Sequence, residues 1–168
     1  ASISAARMQV YFIDNEDYFH RKSVYHDANG EFFQGNGERA IFFARGVLET
    51  VKKLRWNPDI IHCHGWLSAL IPLYIKKAYH EEPAFRDSKV VYSLYDKAFR
   101  NSFSDKYPGI IPTKDMTMGD IGDFDTPIDY NSVMKKAIEF SDGVICNSAS
   151  VDASLTAFAK GKGIPVLE

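Results

Sequence analysis

Apolar and polar positions along the chain change period several times, and each change marks an element. Residues 8–13 alternate and are rich in β-formers, which predicts a strand. Residues 14–35 are polar, aromatic and broken by turn residues, which predicts a loop with room for a helical turn. From Asn36, a candidate cap with Glu38 in the first turn, Ile41, Ala44, Leu48 and Val51 fall on one face of a helix running to about Leu54. Residues 59–62 are a short apolar strand. Leu67, Leu70, Ile71, Tyr74, Ile75 and Ala78 then form a helical stripe, with Pro72 expected to bend it and Lys76 and Lys77 suited to its end. Lys89–Leu94 predicts a strand, and residues 95–130 a long Gly-, Pro- and Asp-rich connection of the kind that is functional or mobile. A helix over 131–140 with Val133, Met134, Ala137 and Ile138 inward, a strand over Gly143–Cys146, a helix over 151–160 closed by Gly161 or Gly163, and the start of a strand at Val166–Leu167 complete the series. The alternation of strands and helices predicts an α/β fold: a Rossmann-like parallel sheet with flanking helices.

The strand at 59–62 carries the densest chemistry. It runs into His62, Cys63, His64, Gly65 and Trp66, and in open α/β sheets ligands bind just outside the carboxyl ends of strands. A His-x-His pair on a strand points both rings to one face. That pair could hold a metal, but zinc sites want three or four ligands and no third stands at a recognisable spacing. Packed histidines bonded to backbone are the plainer alternative. Sugar or nucleotide contact, using neutral donors and an aromatic surface, lies between. Trp66 fits that use, although a Trp at the start of a core-facing helix is more often packing. Gly35-Asn36-Gly37 resembles a phosphate loop only superficially, and helix capping explains it. Ser148-Ala149-Ser150 could bind an anion at a helix N-terminus, with capping the commoner job. The acidic residues of 105–129 read as a solvated loop. There is no nucleophile elbow and no Walker loop.

Composition narrows the classes further. With 168 residues and 45% hydrophobic positions, one domain with a real core is expected. A net charge of −2 gives no general attraction to nucleic acid or to an anionic membrane. No segment is apolar enough to span a bilayer, and no signal peptide is evident. Cys63 and Cys146 lie in apolar strands and are expected to be reduced thiols in a cytoplasmic protein rather than a disulfide. Ala1 is not an initiator methionine, so a longer parent is expected.

Three stretches together resemble the N-terminal half of bacterial glycogen and starch synthases, glycosyltransferases of the two-Rossmann GT-B type. They are Tyr11-Phe12-Ile13-Asp14-Asn15 through Tyr18-Phe19 and Arg21; Asn36 with Arg39, Phe42, Phe43, Arg45, Leu48 and Glu49; and Pro58 through Trp66 with Pro72-Leu73-Tyr74. A looser likeness continues through Ser141-Asp142-Gly143. The resemblance implies that residues 1–168 are a single partial Rossmann-like domain, without the family's second one. It implies glucosyl transfer from a nucleotide sugar, ADP-glucose, to an α-1,4-glucan, with no cofactor and no metal. His62, His64, Trp66 and Tyr95 are the substrate-binding positions it implies; it leaves the catalytic residues unknown. Gly65 stands where the family has an aspartate, Leu67 where it has a histidine, and Tyr95-Asp96 where it has His-Asn. The family's Lys-x-Gly-Gly-Leu loop would precede this chain. These departures favour a chain inactive by itself, or a non-catalytic glucan-binding or regulatory module. A nucleotide-binding protein of another kind has only the order of elements behind it. A missing first strand would leave 59–62 at a sheet edge, to be filled by residues 8–13 or by a second copy in a homodimer.

Overall fold

The computed structural model describes residues 2, 3, 5 and 7–168. Its centre is a parallel four-stranded sheet in the order β3 (Ile60–His64), β4 (Lys89–Leu94), β5 (Gly143–Cys146), β6 (Val166–Leu167). Val91 pairs with His62 and with Gly143, and Ser93 with His64 and Ile145. The expected α/β fold is therefore present. Two shorter strands, β1 (Ser2–Ile3) and β2 (Met8–Gln9), form a separate antiparallel pair.

That pair corrects the expectation of a strand over residues 8–13. Only Met8 and Gln9 are in a ladder, and their partner is β1, not β3. No described strand lies on the outer side of β3. Past β2 the chain crosses α2 instead: a Cβ on Gly46 would stand 3.1 Å from Ile13 Cγ2, so that glycine makes room for Ile13.

Helix α1 (Glu16–Phe19) is a single turn capped by Asn15, and α2 (Asn36–Lys53) follows the aromatic loop. Glu38 at one end and Lys52 and Lys53 at the other complement the backbone dipole of α2. Ala44 and Leu48 are buried; Ile41 and Val51 are half-buried. Asn36 is not the cap expected of it, because Gly35 takes that position. The Asn36 amide instead donates to Tyr25 O (3.0 Å) and accepts from Arg39 Nη1 (2.6 Å).

Pro72 starts a helix rather than bending one. A 3-10 turn, Trp66–Ser68, precedes α3 (Ile71–Lys77), and Pro72 sits in the first turn of α3, where a missing N–H costs nothing. Between β4 and β5 come α4 (Tyr107–Ile110), α5 (Met118–Ile121) and α6 (Tyr130–Glu139). This connection is packed rather than loose: Phe99, Phe103, Tyr107, Ile111, Ile121 and Ile128 are all buried. Val133, Met134, Ala137 and Ile138 face inward from α6 as expected. The last helix, α7 (Ala153–Gly161), ends before Gly163, whose φ of 71° suits glycine.

The 3-10 turn and α3 pack on α2, α3 on α6, and α6 on α7. The alternation of the strands places Cys63, Val90, Tyr92, Leu94 and Val144 in the core beneath these helices. The opposite face is open at its margins, with Ile60 62% and Leu167 64% exposed. Among the described residues no helix is long and apolar enough to cross a membrane.

Candidate functional site

The period of two puts His62, His64, Ser93 and Tyr95 on that open face, at or just past the carboxyl ends of β3 and β4. The imidazoles of His62 and His64 stack with centroids 4.0 Å apart. His62 Nε2 lies 2.7 Å from Ser93 Oγ, and His64 Nδ1 lies 2.7 Å from the Tyr95 hydroxyl. Partial burial and the neighbouring His62 hold the His64 imidazole below its ordinary value. A neutral ring carrying its proton on Nε2 accepts the Tyr95 hydroxyl at Nδ1. The result is a small surface of donors, acceptors and aromatic rings.

Trp66 does not share that surface. It is 5% exposed and packs at the carboxyl edge of the sheet, edge-on to Phe99 at 5.6 Å and tilted to Phe103 at 6.2 Å. Its place follows from the turn at Gly65, where φ is 70° and ψ is 166°. The Gly65 carbonyl accepts from Tyr92 Oη (2.8 Å) and Ser68 Oγ (2.9 Å), which fixes the chain between β3 and the 3-10 turn. Trp66 is thus a residue of the aromatic core and not of the ring surface.

Ser93, and the pairing of Asp96 with the serines after β5, were not legible in the sequence. Ser93 emerges only from the register of β3 on β4. Asp96 pairs with Ser148 and Ser150, across more than fifty residues of sequence. Those serines do not cap α7, contrary to the expectation for them; Asp152 does, accepting from Ser154 N at 2.9 Å. A cleft of about 450 Å³ lies alongside, lined by Asn147, Ser148, Ala149 and Thr156 among others. The aromatic groove between Arg7, Tyr11 and Trp56 is of similar size, about 440 Å³, but lies close to the amino end of β3, away from the histidines.

Of the two thiols, Cys146 lines the cleft and donates to Ser148 O at 3.4 Å, whereas Cys63 stays out of the site. Cys63 faces the core, and burial pushes its thiol up to about 12. Among the described residues no three His, Cys, Asp or Glu side chains are grouped as metal ligands would be.

Comparison with known proteins gives this geometry a context. The family described as "Starch synthase catalytic domain" matches residues 1–165. A glycogen synthase of Clostridium perfringens is 35% identical over 141 residues, 80% of this chain and 27% of that protein. Glycogen synthases of Pelodictyon phaeoclathratiforme and Chlorobium luteolum are 43% identical over 96 residues and 40% over 114, covering 56% and 67% of this chain but 20% and 22% of theirs. The chain thus spans about a quarter or less of the relatives it matches. Among solved structures, the catalytic domain of starch synthase IV from Arabidopsis thaliana, bound to ADP and acarbose, superposes with a TM-score of 0.58. That likeness covers 83% of this chain and 31% of the plant chain at 18% identity, and it establishes the fold.

Proposed function

Because the chain belongs to the family of starch synthase catalytic domains, we propose that it is the glucan-facing part of a glucosyltransferase that moves glucose from ADP-glucose to the non-reducing end of an α-1,4-glucan. The single observation that carries this reading is the joined His62–His64–Tyr95 surface at the carboxyl edge of the sheet. Neutral hydrogen-bonding rings suit sugar hydroxyls, and that edge is where such folds receive ligands. The ADP held by the Arabidopsis neighbour supports an adenosine-diphosphate donor. In our reading His62, His64 and Tyr95 touch sugar, and Trp66, packed on Phe99 and Phe103, does not. The reaction takes place in the cytoplasm, where Cys63 and Cys146 stay reduced.

In this chemistry the protein positions donor and acceptor and stabilises the departing diphosphate. No described Lys or Arg side chain is paired to the His62–His64–Tyr95 surface, and in our reading the charge that meets a diphosphate comes from parts of the parent protein beyond this sheet. The chain by itself therefore transfers no glucose. Incubation with radiolabelled ADP-glucose and glycogen is expected to give incorporation equal to a no-protein control; incorporation above it would refute the claim. A glucan-binding or regulatory module is the second reading, favoured by Gly65, Leu67 and Tyr95 standing at altered family positions. Donor binding separates the two: saturation-transfer NMR with ADP-glucose on the parent protein shows contact in the first case and none in the second.

We also propose that two copies of the chain meet along β3. Its outer backbone has no described strand partner, and Ile60 beside it is 62% exposed. Edges of that kind are usually covered or paired. Light scattering is expected to return twice the chain's mass, with an Ile60→Lys variant returning a single mass.

A further inference from the structure

Two arginines of this chain stand where the backbone favours glycine. Helix α2 closes in a Schellman turn, in which Trp56 N donates to Val51 O (3.2 Å) and Arg55 N to Lys52 O (3.0 Å). The residue after the cap in such a turn is left-handed and most often glycine; here it is Arg55, with φ 52°. Arg7, the residue before β2, has φ 50°. A long side chain kept in an unfavourable backbone conformation points to a use for that side chain.

Both arginines line one cleft of about 440 Å³, together with Gln9, Tyr11, Leu54 and Trp56. That volume lies within the range of small-molecule sites, roughly 300–1,000 Å³. Among the described residues no carboxylate lines the cleft, and neither guanidinium has an ion pair, a hydrogen bond or a ring partner. Two like charges without a counter-ion repel each other, so the cleft lacks an anion. Gln9 Oε1 accepts from Tyr11 Oη at 2.7 Å, which ties the Tyr11 ring to the cleft and leaves the Gln9 amide N–H groups without a described acceptor. Trp56 is 56% exposed and Tyr11 47%, so both rings are uncovered.

The side chains of the cleft therefore bring positive N–H donors and aromatic faces together. An inorganic anion would leave the rings bare, and an uncharged ring would leave the guanidiniums unpaired. A ligand that joins a flat ring to a phosphate answers both. The cleft is separate from the histidine surface: Trp56 precedes β3, whereas His64 ends it, about 13 Å beyond Ile60 at the usual rise of a strand.

We propose that the cleft between Arg7, Tyr11, Arg55 and Trp56 binds a mononucleotide, with its phosphate on the two guanidiniums and its base on the exposed rings. Planar guanidiniums meet phosphate oxygens in pairs, and the Gln9 amide adds an uncharged donor. Stacking on an aromatic face is tolerant of which base is present, so the site recognises the class and not one nucleotide. It stands whether or not the carboxyl edge of the sheet receives sugar.

Adenosine monophosphate titrated into the ¹⁵N-labelled chain tests this. The indole N–H signal of Trp56 is expected to shift and to saturate at millimolar nucleotide or below, while that of the buried Trp66 stays still. Arg55→Gly suits the turn better, so it is expected to keep or raise the melting temperature while weakening binding about tenfold, the usual loss for a hydrogen bond between charged groups. Arg7→Gln is expected to cost as much. Adenosine and inorganic phosphate, each with half of the ligand's chemistry, are expected to bind at least about tenfold more weakly than the nucleotide. No shift at Trp56, or wild-type affinity in Arg55→Gly, would overturn the inference. Adenosine or inorganic phosphate binding as tightly as the nucleotide would overturn it too, since one half of the cleft would then be idle. Equal binding of glucose 6-phosphate would make the rings a sugar platform and overturn the nucleotide class. Shifts at His62 and His64 without Trp56 would put the nucleotide at the carboxyl edge, against the proposal.

Discussion

Arg39→Met lowers the melting temperature by about 5–15 °C, from a loss of about 2–5 kcal/mol in a chain of this size. Arg39 is 4% exposed, yet among the described residues no carboxylate is paired with it. Its guanidinium donates to Tyr18 O (2.8 Å), Val24 O (2.5 Å) and Asn36 Oδ1 (2.6 Å), and lies over the rings of Phe19 and Phe33. Burial, with Arg21 nearby, holds it below the ordinary arginine value. One side chain on α2 thus orders the segment from Tyr18 to Phe33. Methionine fills part of the volume but leaves two carbonyls without their donor. The damage should be local as well as global, so hydrogen exchange should speed up over residues 18–33 before it does in β4. A variant as stable as the wild type would show that the loop is held by its aromatic rings alone.

Gly65→Asp costs about 1–3 kcal/mol of stability, although it restores the aspartate of the family's pattern. A Cβ there meets nothing within 4 Å, so space is not the obstacle. The obstacle is the backbone, whose φ of 70° and ψ of 166° belong to a region that is essentially glycine's own. Relaxing it would pull the Gly65 carbonyl off Tyr92 Oη and Ser68, and tilt Trp66 out of its aromatic socket. Urea unfolding of Gly65→Asp and Gly65→Ala measures the cost. Equal losses in the two place it in the backbone. No loss in either would show that the turn is free to rebuild, and that this chain could carry the family's aspartate after all.

What the sequence disclosed depended on how local each cause was. Lys89–Leu94, Gly143–Cys146 and the inward face of α6 were readable because burial imposes a period on neighbouring residues. So was the meeting of His64 with Tyr95, since both fall at the ends of strands on one face. Residues 8–13 misled because alternation describes a strand's faces and not its partner, and the partner of Met8 and Gln9 is β1. Pro72 misled because the apolar stripe runs unbroken from a 3-10 turn into α3. The connection over 95–130 looked loose because its polar residues outnumber the aromatic anchors, Phe99, Phe103 and Tyr107, that bury it. Ser93 and the Asp96–Ser148–Ser150 cluster depend on strand register and on a loop conformation, and neither leaves a pattern in the chain.

The central claim is that the carboxyl edge around His62 and His64 receives sugar, and the ring signals of those two histidines test it most directly. With maltoheptaose added to the chain at constant pH, the Cε1–H resonances of His62 and His64 should move and saturate at millimolar sugar, while that of His80, exposed beyond α3, stays still. Histidine signals that do not move, or that move no more than His80, would contradict the account.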